Sequence, residues 1–142
     1  MKKILAIMLI MAIAIIIPVC TTAEEDITTI ITPFASGFFS SYGISMTKSG
    51  TTVHIAFRTT AVETMAKLGV LTYDVQRLVS GSWTTVANDV TGSTGSDTAS
   101  YSFSKNYSAT AGYSYRVVGK FYAKKYDGTS ATSTVTSSSI SV

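Results

Sequence analysis

In TTVHIAFRTT, residues 51 to 60, apolar and polar positions alternate: Val53, Ile55 and Phe57 fall on one face, His54, Ala56 and Arg58 on the other. A period of two predicts a strand with one buried side. Tyr42, Ile44 and Met46 alternate in the same way, and Lys48-Ser49-Gly50 supplies a turn, so the two runs predict a hairpin. The period then changes in TTAVETMAKLGV. Thr60 stands three residues before Glu63, Val62, Met65 and Ala66 share a helical face, and Gly69 offers a stop, a capping-box pattern that predicts a short helix over residues 61 to 67. Alternation resumes in VLTYDVQRLV, where Leu71, Tyr73 and Val75 oppose Thr72, Asp74 and Gln76. Ser80-Gly81-Ser82 turns this strand into WTTVAND, whose Trp83 and Val86 suit a neighbouring strand.

VTGSTGSDTAS, residues 90 to 100, has no periodicity and predicts a loop. YSFSKNYS follows as a strand with Tyr101 and Phe103 on one side. The longest strand is read from YSYRVVGKFYAKKYDG, residues 113 to 128. It places Tyr113, Tyr115, Val117, Gly119, Phe121 and Ala123 on a core face, and Ser114, Arg116, Val118, Lys120, Tyr122 and Lys124 on the other. Tyr126-Asp127-Gly128 turns the chain back into ATSTVTSSSISV, a polar final strand. Seven short strands with regular turn signals predict an all-β fold, a seven-stranded antiparallel β-sandwich with one short helix between its second and third strands.

The ends and the charge refine this picture. MKKILAIMLIMAIAIIIPVCTTAEED has two lysines, an uncharged apolar run from Ile4 to Val19, then small and acidic residues, which is the order of a secretory signal peptide. Thr21 and Ala23 place the cut after Ala23. The alternatives are an uncleaved membrane anchor, since the apolar run sits at the short limit for spanning, and lipidation at Cys20. The division that follows is a signal peptide over 1–23, a lead-in over 24–37, read as poorly ordered, and a folded domain over 38–142, with the product secreted or held at the membrane by its N-terminal segment. Cleavage removes Lys2 and Lys3 along with the single cysteine. Nine basic and eight acidic residues then leave a net charge of +1, so neither nucleic acid nor an acidic membrane surface is an expected partner.

The strand order and residue types resemble a fibronectin type III or immunoglobulin-like domain over roughly residues 38 to 142. Tyr107 precedes Tyr113 by six positions, and the strand continues through Tyr115, Val117 and Gly119. Val53, Ile55 and Phe57 look like that family's second strand, and Tyr73-Asp74-Val75 like its third. Ala109 and Ala111 stand where proline and threonine are common, and Phe57 where a tryptophan is usual. SYGISMTKSG, TMAKLG and GKFYAKKYDG further resemble a group of small exported proteins of Gram-positive bacteria that carry a domain of unknown function, which implies secretion and assigns no functional residues. The resemblance to the fibronectin type III and immunoglobulin-like pattern makes Tyr113 the candidate tyrosine corner, its hydroxyl bonded to backbone a few residues upstream.

Candidate chemistry is sparse. Nucleophilic catalysis needs a base, and the only histidine, His54, is expected on an outward strand face far in sequence from any carboxylate. Glu63, Asp74, Asp89, Asp97 and Asp127 share no motif that would pair two of them for glycoside hydrolysis. Asn88, Asp89 and Asp97 lack the spacing of a calcium loop, and Asn106-Tyr107-Ser108 is a sequon by chance in a bacterial-looking chain. No catalytic residue, metal ligand or cofactor is expected. The reading that remains is a non-catalytic module that binds an extracellular protein or carbohydrate. Its candidate face is Arg116, Lys120, Tyr122 and Lys124, an aromatic ring among cations. The alternative is a structural role, with the Ser/Thr-rich C-terminal strand pairing with another copy.

Overall fold

The computed structural model describes residues 27–31 and 37–142. The expected signal peptide, its cut after Ala23 and Cys20 lie outside them. The described residues form seven strands: β1 (Ile27–Ile31), β2 (Phe39–Ser49), β3 (Thr52–Val79), β4 (Ser82–Ser108), β5 (Ser114–Lys124), β6 (Ser130–Thr136) and β7 (Ile140–Ser141). All are antiparallel members of one sheet that curls into a half-barrel. Among the described residues there is no helix.

The architecture follows from one long hairpin. Kept straight, the 28 residues of β3 would reach about 90 Å at ~3.3 Å per residue, far beyond a domain of this size, so the strand must bend. β4 pairs with β3 along the whole of that length. On its other side β3 changes partner, with β2 against residues 52–61 and β5 against 67–77. The first half of the sheet is therefore β1, β2 and the adjoining parts of the hairpin; the second half is the rest of the hairpin with β5, β6 and β7. Ser80 and Gly81 close the hairpin with φ of 50° and 81°, the paired left-handed geometry of a tight turn that follows strand twist.

The change of partner falls where the helix was expected. Residues 61–64 of β3 stand against Ala99 alone on β4, between the pairs Thr60↔Ser100 and Met65↔Thr98. This wide bulge carries the chain round a corner. It also explains the misleading pattern: the extra residues break the period of two, and the buried positions recur at Ala61, Met65 and Leu68, a helical spacing made by a bent strand. Val62, expected on the buried helical face, is exposed. Leu71 is a second such case. It is the additional residue between the pairs Val70↔Phe121 and Thr72↔Lys120, and it points to solvent.

Residues 90–100, expected as a loop, are strand within β4. The small side chains that hid this strand are what its position requires. A Cβ on Gly95 would lie 2.5 Å from the Tyr101 ring, which folds back over the strand and bonds Ser93 through its hydroxyl at 2.7 Å. Residues 27–31, expected within the lead-in, pair with Tyr42–Met46 as β1.

The concave side of the curl is the core. Phe57 lies at its centre, 4.7 Å from Phe103 between ring centroids, 5.0 Å from Tyr73 and 6.4 Å from Phe121, so it joins both halves. Gly119 makes room for it: a Cβ there would sit 3.0 Å from Ile44 and 3.2 Å from Phe57. Side-chain bonds draw the free ends of the curl together. Tyr42 and Ser133 hydroxyls lie 2.7 Å apart, and the Ser138 N–H donates to Thr29 Oγ1 at 2.7 Å.

The buried tyrosine whose hydroxyl bonds backbone a few residues upstream is Tyr115, not Tyr113. Tyr113 is 36% exposed and lies under the Arg77 guanidinium at 4.5 Å, whereas Tyr115 is 1% exposed. The Thr110 N–H donates to the Tyr115 hydroxyl at 2.8 Å, and that hydroxyl donates to the Thr110 carbonyl at 3.3 Å. Both tyrosines fall on one side of the strand register, so alternation does not separate them. Tyr113 precedes β5, at the open end of the core.

Two stability outcomes follow. Tyr115→Phe is expected to lose about 1–2 kcal/mol because it strips both Thr110 backbone groups of their partner, while Tyr113→Phe stays within about 0.5 kcal/mol, both read by urea denaturation. The Thr59 hydroxyl is buried without a partner, so Thr59→Val, which keeps the shape, is expected to raise stability by about 1 kcal/mol. A fall in stability for that variant would mean that the hydroxyl is satisfied.

Candidate functional site

β5 is a central strand, paired to β3 on one side and to β6 and β7 on the other. Its burial alternates along its length, and Tyr115, Val117, Phe121 and Ala123 are buried as expected. Arg116, Lys120, Tyr122 and Lys124 thus project from the convex side of the second half-sheet. They do not act as one group. The Arg116 Nε–H donates to Gln76 Oε1 at 2.8 Å, and its guanidinium lies 4.4 Å from the centre of the Trp83 ring. Arg116 is thereby committed to bracing β5, β3 and β4.

The other three have different neighbours. Across β5, Lys124 faces Lys67 of β3 and Ser130 of β6; Tyr122 faces Gly69 and Thr132; Lys120 faces Thr72 and Thr134. Directly opposed residues in an antiparallel pair hold their Cβ atoms about 4.5–5.5 Å apart, so the Lys67 and Lys124 side chains leave the sheet side by side on one face. Among the described residues no carboxylate pairs with Lys67, Lys120 or Lys124. Lys125, by contrast, bonds Glu63 at 2.8 Å. The glycine opposite Tyr122 presents no side chain, so nothing on β3 walls in the ring at its own register position.

At the Lys120 end the face opens into a cleft of about 190 Å³, lined by Thr72, Tyr73, Asp74, Asp89, Val118, Lys120 and Thr134. A bulge shapes it: Asn88 and Asp89 together face Asp74, and Asp89 takes φ of 47°. The Asp89 N–H donates to Asp74 Oδ1 at 2.7 Å. Burial raises the pKa of the Tyr73 hydroxyl above its ordinary value. A larger recess, about 410 Å³, lies on the first half-sheet over Ser41, Gly43, Ser45 and Ala56, with Arg58 its one charged lining residue.

The remaining candidates stay apart. His54 Nδ1 lies 2.7 Å from Asn106 Oδ1, in a cross-strand pair. Asp97 Oδ1 accepts from the Tyr126 hydroxyl at 2.8 Å, and that bond raises the tyrosine pKa. Asp127 accepts from both the N–H and the hydroxyl of Thr129 in the β5–β6 turn, which holds its carboxyl below the ordinary range. Among the described residues no three His, Cys, Asp or Glu side chains come together.

Lys67, Thr72, Ser130, Thr132 and Thr134 escape a sequence reading of the site. Lys67 falls in the expected helix, and its place opposite Lys124 is set by register across the corner, a long-range feature that periodicity does not carry. The hydroxyls on β6 had a signal, the Ser/Thr alternation of TSATSTVT, without one for which strand they neighbour. No family model matches the chain, and no curated protein and no solved structure is significantly similar to it.

Proposed function

We propose that this chain is an exported, non-catalytic β-sandwich module, similar to fibronectin type III and immunoglobulin-like domains, which binds an extracellular protein or glycan on the convex face of β5. Export rests on the N-terminal sequence pattern. The sandwich reading is supported by core contacts between the two half-sheets and by the Tyr115 hydroxyl on the Thr110 backbone, five residues upstream near the start of a strand. The binding reading rests on one observation above the others: Lys120, Tyr122 and Lys124 lie on one face of a fully paired strand, and among the described residues no carboxylate pairs with either lysine. Such cations add little to the fold, and a charge cluster beside a half-buried ring on a rigid surface suits recognition.

A second reading, self-association as a structural component, is favoured by the edges of the sheet. β6 ends it on one side, and β4 pairs with β3 alone. These two readings predict different behaviour. A binding module sediments as a monomer at all concentrations, whereas edge pairing gives species that grow with concentration.

For the first reading, Lys120→Gln, Tyr122→Thr and Lys124→Gln combined are expected to weaken binding of the purified protein to the producing cell's envelope by about tenfold or more. Stability should stay within about 1 kcal/mol of the parent, since none of the three side chains is in the core and threonine suits a strand. Undiminished envelope binding by a folded triple variant would remove this face from consideration.

A further inference from the structure

Resting on the binding reading above, we propose that the face formed by Lys67, Tyr122, Lys124, Lys120 and the Asp74–Asp89 cleft is a site for a short acidic glycan. An anionic group sits between Lys67 and Lys124, a sugar ring lies on Tyr122, and hydroxyls of the next sugar enter the cleft. Four features of the face point to this ligand chemistry.

The first is charge. Lys67 and Lys124 are directly opposed, two like charges on neighbouring strands that an anion between them would offset. The second is the platform. Tyr122 stands midway between Lys124 and Lys120, which are four residues or about 13 Å apart along the strand, so an extended ligand lying along β5 meets a cation, a ring and a cation in turn.

The third feature is the far end of the site. An anion-only surface would keep carboxylates away, yet Asp74 and Asp89 line the cleft together with Lys120, Thr72 and Thr134. Carboxylates accept from hydroxyls, lysine donates to them, and threonine does both, which is the inventory a polyhydroxylated ring requires. At about 190 Å³ the cleft is below the ~300–1,000 Å³ of sites for drug-sized molecules, and so fits one ring or part of one. The fourth is the backbone. β5 is paired on both sides, so a peptide has no ladder to join, and the face recognises by side chains alone.

The test is a titration of the isotope-labelled full chain followed by its amide resonances. The probes are an oligogalacturonate, a sulfated oligosaccharide and a neutral cello-oligosaccharide of equal length, and poly-glutamate as the acidic peptide. One or both acidic oligosaccharides should move amides in 67–74, 118–124 and 130–134, with the neutral one about tenfold weaker and added salt reducing the difference. Lys67→Gln with Lys124→Gln should cost the acidic sugar about tenfold in affinity. Asp74→Asn, which keeps the oxygen that Asp89 bonds, should weaken the sugars severalfold while leaving poly-glutamate equal or tighter. All these variants lie at the surface, and dispersed amide spectra show that they fold.

The proposal is overturned if no acidic sugar moves these amides, or if the shifts fall on the Arg58 recess instead. It is equally overturned if poly-glutamate binds this face as tightly as the sugars and Asp74→Asn strengthens both, which would make it a general cationic patch. Envelope binding separates this outcome from failure of the broader reading. If the Lys120/Tyr122/Lys124 variant loses envelope binding while no acidic sugar binds, the glycan is wrong and the binding face stands. If envelope binding survives that variant, the broader reading fails as well.

Discussion

The fold depends on β3 belonging to both halves of the sheet. A single strand of this length supplies the neighbour for β4 throughout, for β2 on its first part and for β5 on its second. Everything else is hung on that exchange of partners at residues 61–66. Because the strand turns a corner there, the face that carries Val53, Ile55 and Phe57 continues as the face that carries Leu68, Val70, Tyr73 and Val75, and the two close on each other. Phe57 meets rings from both sides. The tight fit around it is why β5 carries glycine at 119, where a larger side chain would press on Phe57 and Ile44.

This dependence also decides what could be read from the sequence. Regular pairing leaves a local trace, so the alternation in β2, the start of β3 and β5 shows which residues of those strands face the core. The corner leaves a false one. Ala61, Met65 and Leu68 are buried at a helical spacing, and Thr60 with Glu63 mimics a cap, although the chain between them never leaves the extended state. Residues 90–100 leave almost none, because an edge strand of glycine, serine and threonine has no apolar side to display. Tyr113 and Tyr115 share a face, and only the start of β5 distinguishes the exposed ring from the buried one. The site was half legible for the same reason. Its β5 members come from alternation, while Lys67 and the cleft exist only through register and a bulge.

The open edge of β4 is where a strand of a second copy would have to pair. Long, flat, apolar edges invite such pairing. β4 is long but neither flat nor apolar. It carries an extra residue at Asn88-Asp89, left-handed φ at Asp89 and Asp97, and Lys105 on the same side as Ile55, a charge on the inner face of an edge. Each feature twists or charges the edge that an incoming strand would need. The same bulge at Asp89 opens the cleft beside Lys120, so one departure from regular pairing both blunts the edge and shapes the candidate site.

The Lys67–Lys124 pair is best understood in those terms. Cross-strand pairs each shift a sheet's stability by roughly 0.2–1 kcal/mol, and opposite charges there stabilise where like charges oppose. Glutamate at either position would turn the repulsion into attraction without touching the core, since both side chains lie on the convex face. Nearby, the chain does make that choice: Lys125 has Glu63. Among the described residues Lys67 and Lys124 have no carboxylate beside them, whereas their neighbour Lys125 does. The pair stands next to a half-buried tyrosine and a cleft with both acceptors and donors, and departures from local consistency gather at functional surfaces. Fold stability alone accounts for Arg116 on Trp83 and Gln76, whereas the opposed Lys67 and Lys124 fit the anionic ligand proposed for this face.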